Sequence, residues 1–253
     1  MANSKGYIVL IIVLTLFLML FVCFPEAAVN AAEVSFMSLD FNGGSETGDI
    51  PKPWNIRLRE GKADVKVVSE GGNVLHVKCS QSSFAVERNV SVDLDKSSHI
   101  SWTWKALRLP SQGDVRKKGR NDQALQILVA FKNGKILSYV WDTNAPEGTI
   151  TDESVGWPIN LKIKVIVVQS GTLDIGKWIT HTRNIYEDYL NLFHEEPASV
   201  KGVRIQTNTQ YTRDIAEGFI KNIQFGKALS MASEMHAAHS RTGTYAEKLS
   251  PKQ

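Results

Sequence analysis

Ile100-Ser101-Trp102-Thr103-Trp104-Lys105-Ala106 sets an apolar side chain at every second position and a polar one between. Side chains alternate across the two faces of a strand, so this period of two reads as a half-buried β-strand with both indoles in the core. Leu125, Ile127, Val129 and Phe131 repeat the pattern, and so do Ile163, Val165 and Val167 among Lys162, Lys164 and Ile166. Further strands are expected over 63–69, 74–80, 84–92, 136–141, 200–207 and 218–225. Turn residues separate them: Gly71-Gly72-Asn73, Asp95-Lys96-Ser97, Asn133-Gly134-Lys135 and Ser170-Gly171. The clearest hairpin runs from Phe131 through Asn133-Gly134 to Ile136. One segment departs from this rhythm. Ile185, Tyr189, Leu192 and Phe193 fall at near-helical spacing before Pro197, which predicts a single short helix near 184–194. About ten short strands at roughly 8–12-residue intervals with one helix indicate an all-β, two-sheet β-sandwich. The jelly-roll form is preferred, with the segment Phe36 to Phe41 and the last strand as closing partners.

The amino terminus reads as an export segment. Lys5 precedes an uncharged apolar run from Tyr7 to Phe24, and small residues follow over Ala27 to Ala32. The run is long for a signal peptide and about long enough to span a bilayer, so residues 1–32 are either a cleaved signal or a retained anchor. The expected location is periplasmic or extracellular, with residues 7–24 as the one membrane contact if they are kept. Residues 33–227 then form one domain, and 228–253, rich in Ala, Ser, His and Lys, form a loose helical or flexible tail.

The formal net charge of +3 is mild, and the one basic cluster, Arg116, Lys117, Lys118 and Arg120, sits in a glycine-flanked loop. Nucleic acid is therefore not an expected partner. Of two cysteines, Cys23 lies in the apolar run, leaving Cys79 as a buried thiol with no disulfide partner. His236 and His239 lack the further ligands a metal site needs, and there is no phosphate loop, dinucleotide glycine pattern or nucleophile elbow. No metal and no cofactor is expected.

Several clusters in series resemble a bacterial exported family, domain of unknown function 3047. They are Leu39-Asp40-Phe41; Trp102-Thr103-Trp104-Lys105 with Leu109-Pro110; Asn121-Asp122 leading to Val129 and Phe131; and Tyr139-Val140-Trp141. Gly176-Lys177-Trp178, Arg183-Asn184 with Asp188-Tyr189 and Phe193, and Asn222-Ile223-Gln224-Phe225 complete the series across residues 36–226. The resemblance implies a fold and no activity. This chain departs from the family pattern where that pattern carries a double aspartate followed by arginine, having Asn121, Asp122 and Gln126 instead. It departs again in an aspartate-rich turn, here Thr207 to Thr212, and at Asn222. An amide cannot act as a general base and is a weak cation ligand.

Three function classes remain. In the first, the chain is a non-catalytic exported protein binding carbohydrate or a cell-envelope glycan. Asn121, Asp122, Tyr139, Trp141, Trp157, Trp178 and Arg183 would line its site, because indole faces stack on sugar rings while amides, carboxylates and guanidinium groups meet hydroxyls. Trp157 and Trp178, in glycine-containing turns, are the platform candidates, whereas Trp102 and Trp104 belong to the core. In the second, the same fold is a glycan hydrolase or lyase using Asp122 and Asp188, which would have to face one cleft about 5–10 Å apart. In the third, the chain is an envelope-tethered structural protein. An Arg183–carboxylate pair locking the helix to the sheets is the structural reading of those charged residues.

Overall fold

The computed structural model describes residues 36–43, 48–155 and 161–227. The export segment expected at 1–32 and the tail at 228–253 lie outside them. Among the described residues no helix is long and apolar enough to cross a membrane.

The described strands are β1 (Met37–Leu39), β2 (Asn55–Glu60), β3 (Asp64–Ser69), β4 (Asn73–Ser80), β5 (Ser83–Val92), β6 (His99–Arg108) and β7 (Leu125–Phe131). They continue with β8 (Lys135–Asp142), β9 (Ile150–Val155), β10 (Leu161–Ser170), β11 (Ile179–Asn184), β12 (Val200–Asn208) and β13 (Ile215–Gly226). The helix α1 spans Ile185–Phe193. Sheet I has the order β11-β6-β13-β4-β3, with β1 added to β13, and sheet II the order β2-β5-β12-β7-β8-β10-β9. From β4 to β7, and again from β11 to β13, successive strands change sheet, which is the wrapping of a jelly roll. The closing pair is β1 on β13, Leu39 opposite Ile223, as the sequence indicated. All pairings are antiparallel except β10 with β8, whose parallel register sets Val165 beside Ser138.

The alternation decides which atoms are inside. Ile100, Trp102, Trp104 and Ala106 are all fully buried, and meet Leu125, Ile127, Val129 and Phe131 of β7 with Leu137, Tyr139 and Trp141 of β8 in one core. Trp102 and Trp104 pack edge to face at 5.4 Å, and Trp104 lies 6.0 Å from Trp141. The β7–β8 hairpin turns at Gly134, whose φ of 85° lies in the left-handed region that favours glycine. The loop after β6 folds over the outer face of sheet II, where Val115 packs with Val140, Ala145, Val165 and Val167.

The helix starts where Asn184 accepts a hydrogen bond from the Glu187 amide at 3.2 Å, with Glu187 and Asp188 in its first turn. It ends at His194 in a left-handed conformation. Ile185 and Tyr189 are its buried contacts, Tyr189 meeting Phe131 at 4.6 Å between ring centroids. This closes one end of the sandwich and sets the first turn of α1 beside the edge strand β11.

Candidate functional site

The alternation that buries Trp102 also buries two residues expected to line a ligand surface. Tyr139 and Trp141 point inward from β8 and are fully buried, so they form the wall behind any site and do not touch solvent. Trp141 donates through Nε1 to the Gly171 carbonyl at 3.0 Å. Asp122 is fully buried as well. It accepts from Asn208 Nδ2 at 3.0 Å, from the Thr212 amide at 2.6 Å and from the Thr212 hydroxyl at 2.7 Å. That carboxylate fastens the β12–β13 loop, and burial withdraws it from both the ligand-lining and the catalytic readings. Asn121 is half-buried and donates to Glu153 Oε1 at 2.6 Å. Trp157 lies outside the described residues.

Three of the amides noted in the sequence, Asn121, Gln126 and Asn208, converge here. Gln126 donates to Asn208 Oδ1 at 2.6 Å, and Asn208 reaches both the Asn121 carbonyl and Asp122. Gln123 links Asn121 to Asp142, whose oxygens also take the amides of Val115, Asn144 and Ala145. Burial raises the Asp142 pKa above the ordinary carboxylate range, against the lowering effect of those amides. The network is a fully connected interior clasp.

Arg183 lies elsewhere, on a cleft of about 580 Å³ along the open side of the sandwich. The walls come from β11, β10, the segment 147–150 leading into β9, and Asp188, Asn191 and Leu192 of α1. Ile166 and Val168 supply an aliphatic floor, and His181, Arg183, Asp188 and Asn191 supply the polar groups. Arg183 grips Asp188 with two nitrogens, Nε at 2.9 Å to Oδ2 and the second to Oδ1. Tyr139 donates its hydroxyl to the same Oδ2 at 2.8 Å from behind. The structural reading of Arg183 therefore holds, and the pair also forms part of the cleft wall. Burial first, then the Asp188 charge, holds the Tyr139 pKa well above the phenolic value, so this hydroxyl stays protonated.

His181 faces inward between two indoles, 5.5 Å from Trp102 and 5.2 Å from Trp104. Burial, helped by the Arg183 charge, lowers its pKa to about 4, so the imidazole is neutral at neutral pH. Its Nε2 has no hydrogen-bond partner among the described residues, and neither do Nε1 of Trp102 and Trp104. Buried polar atoms without partners are uncommon in folded proteins, and these three belong to rings in mutual contact. His181 and Asn191 were not read from the sequence. The available signal was Thr180 and Thr182 alternating with His181 and Arg183, which marks 179–184 as a strand.

Trp178 is half-buried and does not line the cleft. It lies over the outer face of sheet I near Phe219, at 6.2 Å between centroids. Among the described residues no group of three or more His, Cys, Asp or Glu side chains is placed to hold a metal ion.

Comparison with known proteins gives the family. The family described as Protein of unknown function (DUF3047) matches over residues 52–224. No curated protein matches the chain. Among solved structures, the xyloglucanase domain of NopAA, a type three effector from Sinorhizobium fredii in complex with cellobiose, is 11% identical with a TM-score of 0.44. That match covers 78% of this chain and 99% of that one. Endoglucanase 3 of family GH12 from Trichoderma harzianum is 10% identical with a TM-score of 0.39, covering 78% and 98%. The family 30 carbohydrate-binding module of a Clostridium thermocellum cellulosomal cellulase is 10% identical with a TM-score of 0.34, covering 77% and 92%. At these values the likenesses leave function to this chain's own residues.

Proposed function

Since this chain belongs to the family of unknown function DUF3047, we propose from its own residues that it is a non-catalytic binding protein whose cleft beside Arg183 and Asp188 takes a carbohydrate unit. One observation carries the reading. The cleft sets a planar ion pair, an amide and an unpartnered imidazole nitrogen around an aliphatic floor of Ile166 and Val168. A sugar ring has the matching chemistry, with C–H faces that leave water readily and a rim of hydroxyls that need donors and acceptors. About 580 Å³ also lies within the usual range for a small-molecule pocket of roughly 300–1,000 Å³.

Binding is favoured over hydrolysis by the state of the two candidate acids. Asp122 is enclosed with its oxygens occupied, and both oxygens of Asp188 are held by Arg183 and Tyr139. Asp122 is closed off from any substrate, and Asp188 is fixed in a bidentate ion pair that holds it away from proton transfer. The place of action in this proposal is outside the cytoplasm, and the apolar run at 7–24 supports it. Fractionation of expressing cells tests that part. A soluble cytoplasmic full-length product contradicts it.

The binding test is a glycan array with the parent and Asn191→Trp. Asn191 is exposed at the cleft, so the indole fills the space without disturbing the core. Retention of a glycan by the parent and its loss in the variant is expected. Retention by both overturns the placement in the cleft, and retention by neither overturns the proposal.

A further inference from the structure

We propose that the outer face of sheet I around Trp178 and Lys221 is a second binding surface, which takes carboxylate-bearing sugar units of an acidic polysaccharide. Lys105 of β6 and Phe219 and Lys221 of β13 project from this face, in register with Thr103 and His76. Lys221 sets its ammonium 4.1 Å from the centroid of the Trp178 ring, and Lys105 sets its own at 4.7 Å. Lys105 also lies 4.6 Å from the centroid of Phe219, which stacks on His76 at 4.5 Å. The result is an aromatic and cationic band running across β4, β13 and β6 to the start of β11.

Lys78, Lys105 and Lys221 outnumber the two carboxylates of this band, Glu70 and Glu217. Glu70 pairs with Lys105, and Glu217 pairs with His76 at 2.9 Å and Lys78 at 3.8 Å. Lys221 has no carboxylate within ion-pair distance among the described residues. Burial lowers its pKa, the Glu70 charge opposes that and the Lys105 charge adds to it, so a ligand anion placed there would join Glu70 in offsetting the cost of burial. The chain also changes course next to it. Asn222 has φ +54°, in the left-handed region that asparagine tolerates, and the ladder to β6 shifts register between Lys221 and Gln224. A bulge at this point fixes the direction of Lys221.

The same details select the ligand class. A half-exposed indole beside an ammonium suits a ring with an apolar C–H face and an adjacent anionic group. A uronic acid unit has both. Glu70 and Glu217 stand among the lysines, so a strand with a phosphate at every unit is repelled at two points. A sugar chain with spaced carboxylates meets those two carboxylates with hydroxyl groups instead.

The test is calorimetric titration of the full chain with oligogalacturonate at low salt, beside a neutral galacto-oligosaccharide of equal length, dextran sulfate and single-stranded DNA. Oligogalacturonate should bind, the neutral oligosaccharide should bind about tenfold more weakly, and Lys221→Gln and Trp178→Ala should each weaken binding about tenfold. Asn191→Trp, which fills the separate cleft, should bind like the parent, so failure of either surface is told apart from failure of the other. Lys221→Gln removes a partly buried charge without breaking an ion pair and keeps the test sound if Trp178→Ala is poorly folded. Parental affinity in Lys221→Gln overturns the proposal. So does equal binding of the neutral oligosaccharide, of dextran sulfate or of single-stranded DNA, or no binding of oligogalacturonate by the parent.

Discussion

The Tyr139 hydroxyl donates to Asp188 Oδ2 at 2.8 Å, joining the buried middle of sheet II to the first turn of α1. Arg183, on the edge strand of sheet I, holds the same carboxylate. One acid therefore ties both sheets and the helix at the mouth of the cleft.

Replacing that acid should be felt in stability. Asp188→Ala leaves Arg183 and the buried Tyr139 hydroxyl without their shared partner and is expected to lower unfolding free energy by about 3 kcal/mol. Tyr139→Phe keeps the ion pair and should lower it by only about 1–2 kcal/mol. Urea unfolding of both single variants and the double variant measures this, and additive effects would show that the hydroxyl and carboxylate are not coupled.

His181 gives a pH dependence with a defined sign. Its folded pKa of about 4 lies below the ordinary histidine value, so between them the unfolded chain binds a proton that the native chain does not. Stability from this residue is complete above about pH 6.5 and is lost as pH falls toward 4, by at most about 3 kcal/mol. His181→Phe preserves the stacking on Trp102 and should flatten the curve over that window. Asp214, whose pKa is lowered to about 2, contributes at lower pH and is common to both proteins. Parallel curves for parent and variant would contradict the assignment.

Asp122 should behave as a clasp. Asp122→Ala leaves the Thr212 amide and hydroxyl and the Asn208 amide without their acceptor, at an expected loss of about 2–4 kcal/mol. Hydrogen exchange should quicken at Thr212 while amides of β6 keep their relative protection. Unchanged exchange at Thr212 would contradict the role.

The tryptophans should separate into two classes. Trp104→Ala removes a fully buried indole and is expected to destabilise by about 3–5 kcal/mol. Trp178→Ala, on a half-buried surface, should change stability by about 1 kcal/mol or less. Thermal unfolding distinguishes them, and equal losses would place Trp178 in the core.

The sequence carried the interior of this fold further than its edges. Residues 100–106 and 125–131 announced central strands, since one face of each is enclosed and the period of two is strict. β2, Asn55-Ile56-Arg57-Leu58-Arg59-Glu60, was not read because it is an edge strand exposed along its length, where no core enforces alternation. β9 and β11 are also edge strands, and neither was read, β11 because its alternating positions are mostly polar, Thr180, His181, Thr182 and Arg183. At the site, Arg183 was legible as half of a bidentate pair with a carboxylate, which the fold identifies as Asp188, while Tyr139 and Trp141 were placed on a ligand surface despite sharing the inward phase of Leu137. Nothing local brings Ile166, His181 and Asn191 together. That meeting depends on the parallel placement of β10 and on α1 following β11 directly.

In the function proposed, the cleft beside Arg183 and Asp188 holds a sugar. Amide and side-chain NMR shifts on titration with a glycan retained by the array test it most directly. Saturable shifts at His181, Arg183 and Asn191 are expected, abolished in Asn191→Trp. Shifts confined to residues outside the cleft, or unchanged by that substitution, would contradict it.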